Sequence, residues 1–328
     1  MTTWWVGGYG PDMGGTLGGI LAMRSTDAGT LELVGTAVEA LSPSYLLRRG
    51  DHVYAVAEGA GTVDSFRRTG EHTLERDGSA ATGGTWPCNL EFFAGGVAAA
   101  NYFDGSVALA GLDEAGAVTT LVESVEGSGS GPHDRQSGPH AHTVFAVYDS
   151  TLLSVDLGAD RVVVHRPGLT PAASLALPPG TGPRDLARHP SGLLYLLSEL
   201  SHELFVLRWT GSGLEIVSSV AVPGAVEGDS DSAISISGDG RYVYTGLRGS
   251  NRISMLYAGE GGAKLEPLGW IPSEGDWPRH HTIDGDVLHV AHEKSDSVAS
   301  FRLGTDGTPA LIAEPVAVPS PNYLLRGA

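Results

Sequence analysis

Residues 42–68 read SPSYLLRRGDHVYAVAEGAGTVDSFRR. A proline-led segment comes first, an apolar run covers 52–58, the small residues GAG turn the chain, and 62–68 makes a second run. Apolar runs this short, punctuated by Gly and Asp, describe antiparallel strands joined by tight turns. The unit recurs as GVAAANY-FDG-SVALAGL, TLLSVDL-GAD-RVVVHRP, LLYLLSEL-SH-ELFVLRW, YVYTGLR-GSN-RISMLYA and VLHVAHE-KSD-SVASFRL. A looser copy opens the chain, TTWWVGGY followed by GGILAMRS.

The first core residue after each turn falls at Ile20, Val63, Val107, Val162, Leu204, Ile253 and Val298. Seven copies, 42 to 55 residues apart, match the period of a four-stranded β-propeller blade. Helix-pair solenoids share that period, but no segment keeps apolar residues at helical spacing. A sandwich with accidental spacing is the competing reading. SPNYLLRGA at 320–328 copies the blade-opening SPSYLLRRG, and its missing partners are TTWWVGGY, GGILAMRS and LELVGTAV at the other end. The expectation is one seven-bladed β-propeller domain over 1–328, all-β, with both chain ends stitched into one blade so that no sheet edge stays open.

Composition narrows the function. The chain has 328 residues, with 47 Gly, 19 Pro and 41% hydrophobic residues, enough apolar content for a sizeable core. Its net charge of −18 repels nucleic acid and anionic lipid, so neither is expected as a partner. The longest apolar stretch, residues 194–207, is broken by charge, and MTTWWVGGYG lacks a signal peptide's basic and apolar regions. A cytoplasmic protein, monomeric or weakly oligomeric, is the simplest expectation. One cysteine, Cys88, excludes an internal disulfide or a Cys-rich metal site and reads as a buried thiol.

First strands line a propeller's channel, so their exceptions are informative. Aligning the copies on Pro puts Ser44, Cys88, His140, Arg184, Arg279 and Asn322 after it, with DSAIS replacing the proline segment in the sixth copy. Two positions on stand Leu46, Leu90, His142, Leu186, His281 and Leu324, so the histidines interrupt a leucine norm. The second strands end at Tyr9, Glu58, Tyr102, Leu157, Glu199, Arg248 and Glu293. Equivalent positions of a ring converge on one mouth, so these side chains are expected together unless they simply hydrate the rim. Arginines there suit a carboxylate, a phosphate or a developing oxyanion, and His or Glu suits proton transfer. His140 and His142 on one strand face lack a third ligand of suitable spacing, so no metal is expected. The Gly/Ser-rich residues 127–142 contain no phosphate-binding P-loop and read as a long loop over the mouth.

TGGTWPCNL, AANYFDGSVAL, RQSGPHAH, DLGADRV, GPRDLARHPSG with LLSELS, YTGLRGSN and WPRHHTID with VAHEKSDSV form a series that resembles the bacterial lactonase family of seven-bladed propellers. That family is typified by the propeller-type 6-phosphogluconolactonase and related to fungal carboxymuconate-lactonising enzymes. The likeness runs from Gly7 to the C-terminus. It implies a cofactor-independent lactone hydrolase acting on 6-phosphogluconolactone or a related anionic lactone or sugar phosphate. It also implies catalytic roles for His140, Glu199, Arg184 and Arg248, while His142, Arg279, His281, Glu58 and Tyr102 would bind substrate. Asp185, Ser198 and Leu247 replace the more usual His, Asn and Asn beside those positions, which puts the substrate in question. A lactone-forming cycloisomerase, or a non-catalytic propeller binding a small anion or a protein, remains the alternative.

Overall fold

The computed structural model describes residues 2–148, 150–259 and 261–327. Each blade-opening segment begins a strand that pairs with the second, the second with the third, and the third with the fourth, giving seven antiparallel sheets. Blade 1 unites Pro321–Arg326 with Thr3–Gly8, Gly19–Ser25 and Leu31–Glu39. Blades 2 to 7 open with Leu46–Arg49, Pro87–Phe93, Ala141–Tyr148, Pro183–Arg188, Ser230–Ile236 and Pro278–Asp284. Each of these strands contacts its counterparts on both sides, so the sheets form a closed ring. The seven-bladed propeller expected from the repeat is the fold observed.

A single blade cannot bury its own faces, and the apolar side chains show where they go. Seven separate clusters sit one between each pair of neighbouring blades. Trp4 and Trp5 illustrate the two-residue period of a strand: Trp4 packs toward Val298 of blade 7, Trp5 toward Phe66 of blade 2. The leucine norm of the first strands belongs to this layer, where Leu46, Leu90, Val144, Leu186, Ile234 and Leu324 are all buried. Among the described residues, no such cluster spans the centre of the ring.

The turn between second and third strands also ties neighbouring blades together. Its last residue is left-handed at Asp160, His202, Asn251 and Asp296, and the side chain reaches the next blade's opening. Asp160 accepts the Gly182 amide at 2.7 Å, Asn251 the Trp277 amide at 2.9 Å, and Asp296 the Ser320 amide at 2.7 Å. His202 makes the equivalent clasp to a side chain, Asp231.

Six of the seven opening strands share one irregularity. Pairing with the second strand slips at Cys88, His142, Arg184 and Arg279, and within 232–233 of blade 6; the same slip occurs at Asn322 in blade 1. A bulge leaves one residue out of the ladder and re-aims its side chain. With Ser44 and Tyr45 just ahead of the blade 2 strand, two successive residues per blade border the channel: Ser44, Cys88, His142, Arg184, Ser232, Arg279 and Asn322, then Tyr45, Asn89, Thr143, Asp185, Ala233, His280 and Tyr323.

Ring closure rests on antiparallel pairing of Trp4 with Arg326, Val6 with Leu324 and Gly8 with Pro321. Deleting residues 320–328, of which Ala328 lies outside the described residues, removes a whole strand and the Leu324 contact with blade 7. The deletion is expected to lower the melting temperature by more than Leu324→Ala, a truncation worth about 2–5 kcal/mol. Equal thermal denaturation midpoints for the two variants would refute closure as the dominant constraint.

Candidate functional site

The mouth of the channel holds a cavity of about 220 Å³ walled by Tyr9, Glu58, Trp86, Cys88, Tyr102, Arg135, His142, Arg184, Glu199, Arg248 and Arg279, with Met13 at its edge. A second chamber of about 180 Å³ lies along the channel and shares Glu58, Cys88, His142, Arg184 and Arg279 with it. Cys88, Arg184 and Arg279 of the residues expected after proline thus meet Tyr9, Glu58, Tyr102, Glu199 and Arg248 of the second-strand ends. Leu157 is buried, and Glu293 reaches the site through Arg279.

Glu199 is fully buried and carries three arginines. Arg248 Nη2 lies 2.8 Å from Oε1, Arg135 Nη2 also bonds Oε1, and Arg184 Nη1 bonds Oε2. Burial opposes the ionised carboxylate, but Arg184, Arg248 and Arg135 outweigh it and hold Glu199 well below the usual carboxylate range. Burial lowers Arg248 against the pull of Glu199, to about 9, which leaves it a cation at neutral pH. Blade 6 orients two of these guanidinium groups. Ser230 and Asp231 carbonyls accept from Arg248 Nε at 3.2 Å and Nη2 at 2.8 Å, and the Ser232 carbonyl accepts from Arg184 Nε at 2.5 Å. The one opening segment without proline or alanine at its start is therefore the one that anchors the arginines.

Arg135 was not singled out by its sequence position. It sits in the 127–142 insertion, on a single turn over Asp134–Gln136, where it also donates to Ser230 Oγ at 3.2 Å. Buried Gln136 pins that turn, donating to the Leu157 carbonyl at 2.8 Å and Asp160 Oδ1 at 2.7 Å. The insertion is a mouth loop, as expected, and it adds a fourth cation.

The opposite wall is a hydrogen-bonded chain. Arg279 Nη2 donates to Tyr9 Oη at 3.0 Å, Tyr9 donates to Glu58 Oε1 at 3.2 Å, and Ser44 donates to Oε2. Burial raises Glu58 above the ordinary carboxylate range, against the pull of Ser44, Arg279 and Tyr9. Cys88 is a protonated thiol, pushed up by burial.

Two histidines stand elsewhere than the proline alignment put them. Ala141, not Pro139, occupies the blade-opening position, because Ala141 pairs with Asp156 as Pro183 pairs with Ser198. His142 is consequently the channel residue equivalent to Arg184, and His140 is shifted off the ring. His140 stacks on Tyr102 at 4.7 Å and donates through Nδ1 to its carbonyl at 2.8 Å. His281 holds the leucine position and points between blades, its Nε2 3.0 Å from the Tyr244 carbonyl, so it does not meet the cavity.

His142 differs from both in where its ring lies. Its Nδ1 is buried without a hydrogen-bond partner, as is that of His281, but the His142 ring borders both chambers. Protonation would bury an unpartnered N–H beside Arg184. Burial first and Arg184 second accordingly push His142 well below the ordinary imidazole value, with Glu199 opposing. A neutral imidazole thus faces a cavity walled by four guanidinium groups, a setting for an anionic ligand and for proton transfer.

The family model of the seven-bladed β-propeller lactonases matches residues 3–325. The 6-phosphogluconolactonase of Bacillus subtilis is 31% identical over 237 residues, covering 69% of this chain and 68% of the relative. Among solved structures, a putative 6-phosphogluconolactonase from Bacteroides fragilis superposes with a TM-score of 0.93 at 26% identity, covering 100% of this chain and 98% of that one. The periplasmic gluconolactonase of Pseudomonas aeruginosa gives 0.91 at 26% identity, covering 100% and 99%.

Glu199→Gln removes the counter-charge of three arginines and is expected to cost about 3–5 kcal/mol, the usual penalty for breaking a buried ion pair. A carboxylate held low in the folded state stabilises above its unfolded value and loses that contribution as pH falls through the folded one. Denaturant titrations should therefore show the gap between wild type and variant from pH 7 to pH 4, closing only at lower pH. A gap that closes already between pH 6 and 5 would contradict the assignment.

Proposed function

Because this chain belongs to the lactonase family of seven-bladed β-propellers, we propose that its channel mouth hydrolyses an anionic lactone without a cofactor, 6-phosphogluconolactone being the first substrate to test. The observation that carries this reading is His142, a neutral imidazole with a buried, unpartnered Nδ1 set among arginines.

In this mechanism the arginines divide the work. Arg248 and Arg135, both paired with Glu199 Oε1, hold the substrate's phosphate or carboxylate. Arg184 and Arg279, which border the same chamber as His142, face the lactone carbonyl. Water attacks the carbonyl carbon while His142 takes its proton, and the carbonyl oxygen becomes an oxyanion beside a guanidinium. A preorganised donor at that point is worth about 3–4 kcal/mol. Collapse of the intermediate breaks the ring C–O bond, and the departing ring oxygen receives the proton from His142. Glu199 serves as the fixed counter-ion: both its oxygens are engaged by arginines, so proton transfer is assigned to the imidazole, whose Nδ1 has no partner. Tyr102 braces His142 edge-on at 5.7 Å, and Glu58 steadies Arg279 through Tyr9.

Steady-state kinetics test these roles. His142→Asn is expected to lower kcat by about 10²–10⁴-fold with KM little changed. Arg248→Lys should chiefly raise KM, and Arg184→Lys should lower kcat. The imidazole acts as a base only when neutral, so the acid limb of kcat/KM should lie below pH 6.5 and vanish in His142→Asn. A lactone panel with product identification decides between ring opening and ring closure. Wild-type kinetics in His142→Asn on a confirmed substrate would overturn the assignment.

A further inference from the structure

The clasps between turn and next blade form a series with one anomaly. At blades 4, 6 and 7 an Asp or Asn side chain accepts a backbone amide, a bond without titratable partners on both sides. Between blades 5 and 6 the clasp joins two titratable side chains, His202 Nδ1 and Asp231 Oδ2, 2.5 Å apart. Asp231 is fully buried, its Oδ1 has no partner, and it occupies the position held by proline or alanine in the neighbouring blades. Packing does not call for a carboxylate there.

What the clasp connects gives it a purpose. His202 lies three residues beyond Glu199 on the same hairpin. Asp231 belongs to the strand start whose carbonyls, Ser230, Asp231 and Ser232, orient Arg248 and Arg184. One contact thus fixes the counter-ion's hairpin against the arginines' anchor. We propose that His202 and Asp231 are positioning residues that hold the arginine cluster in its anion-binding geometry and couple that geometry to pH. The proposal rests on the reading of the arginine cavity as an anion subsite.

The charges around the pair give the sign. His202 faces Asp231, Asp229 and Glu199; its hydrogen bond to Asp231 raises it above the ordinary imidazole value. Asp231 faces His202, Glu199 and Arg248, and burial raises it to about 6. Near neutrality the pair keeps one proton. When pH rises through the raised His202 value that proton leaves, and a buried carboxylate is left opposite a neutral ring, close to two other carboxylates. The clasp weakens, and so should anion binding.

Sulfate, which does not titrate in this range, is the probe, with affinity measured by calorimetry from pH 6 to 9 on the full chain. Wild type should bind sulfate and lose affinity as the pH rises. His202→Asn copies the clasp residue Asn251, tolerates the left-handed backbone and keeps a donor that does not titrate. It should bind within about twofold of wild type at pH 7 and lose the alkaline decline. His202→Ala should bind roughly tenfold more weakly, a change of ~1.4 kcal/mol; on substrate it should raise KM more than it lowers kcat. An alkaline decline that persists in His202→Asn, or wild-type affinity in a folded His202→Ala, overturns the proposal while leaving the anion subsite standing. Should His202→Ala fail to fold, the His202→Asn profile alone decides. If wild type binds no sulfate at any pH, the anion subsite fails, and the positioning role fails with it.

Discussion

Pairing of Pro321–Arg326 with Thr3–Gly8 is the contact on which the other interactions depend. Each sheet has two apolar faces and no core of its own, so each is stable only between two neighbours. In an open array the terminal sheets would expose one face each. Closing the array with a strand from the far end of the chain gives every blade two neighbours and fixes the radius of the channel. The hydrogen-bonded clasps at Asp160, Asn251 and Asp296 set the rotation of each blade against the next. Position at the mouth is thus a property of the whole ring.

Within that ring, the bulge converts a structural repeat into a site. A regular strand would present alternate residues to the axis. The slip in pairing near the start of six of the seven opening strands presents two in succession, so the channel gains a second, mostly polar row without lengthening any strand. Because blades are related by rotation, a change at one bulge position is placed opposite the same position of other blades. Ser44, Cys88, His142, Arg184, Ser232, Arg279 and Asn322 are such variants of one position. The scaffold is constant and the chemistry is written in its exceptions.

Charge at the mouth runs against charge elsewhere. A chain of net −18 gathers Arg135, Arg184, Arg248 and Arg279 around one cavity. Like charges this close require a buried counter-ion, and Glu199 supplies it by bonding three of the four. Its electrostatic cost has a plain origin: Arg184 and Arg248 are buried with it, where ion pairs act at short range in a medium of low polarity. Trp277 adds a flanking contact, with Arg248 at 5.5 Å and Lys294 at 3.2 Å from its ring.

Much of this was legible in the sequence, for reasons that can be named. Blade number and ring closure follow from a period of short strands and from the duplicated SP-x-YLLR segments at 42–48 and 320–326, because strand pairing and turn formation are local and repeat with the residues. Convergence of Arg184, Arg248, Arg279, Glu58, Tyr102 and Glu199 was also readable, since rotation carries equivalent positions to one mouth. Three features were decided only by the tertiary structure. The register of GPHAH was hidden because Pro139 imitates the opening proline, whereas the bulge that selects His142 over His140 depends on pairing with Asp156 and Val155. Arg135 lies in an insertion with no counterpart in other blades, so no repeat could place it; buried Gln136 and Asp160 do. The character of Glu199 is likewise not local. Alone it reads as a base; three guanidinium groups brought in by blades 5 and 6 and the mouth loop make it a fixed anion, because an ionisation equilibrium answers to every charge within a few ångströms and not to its chain neighbours.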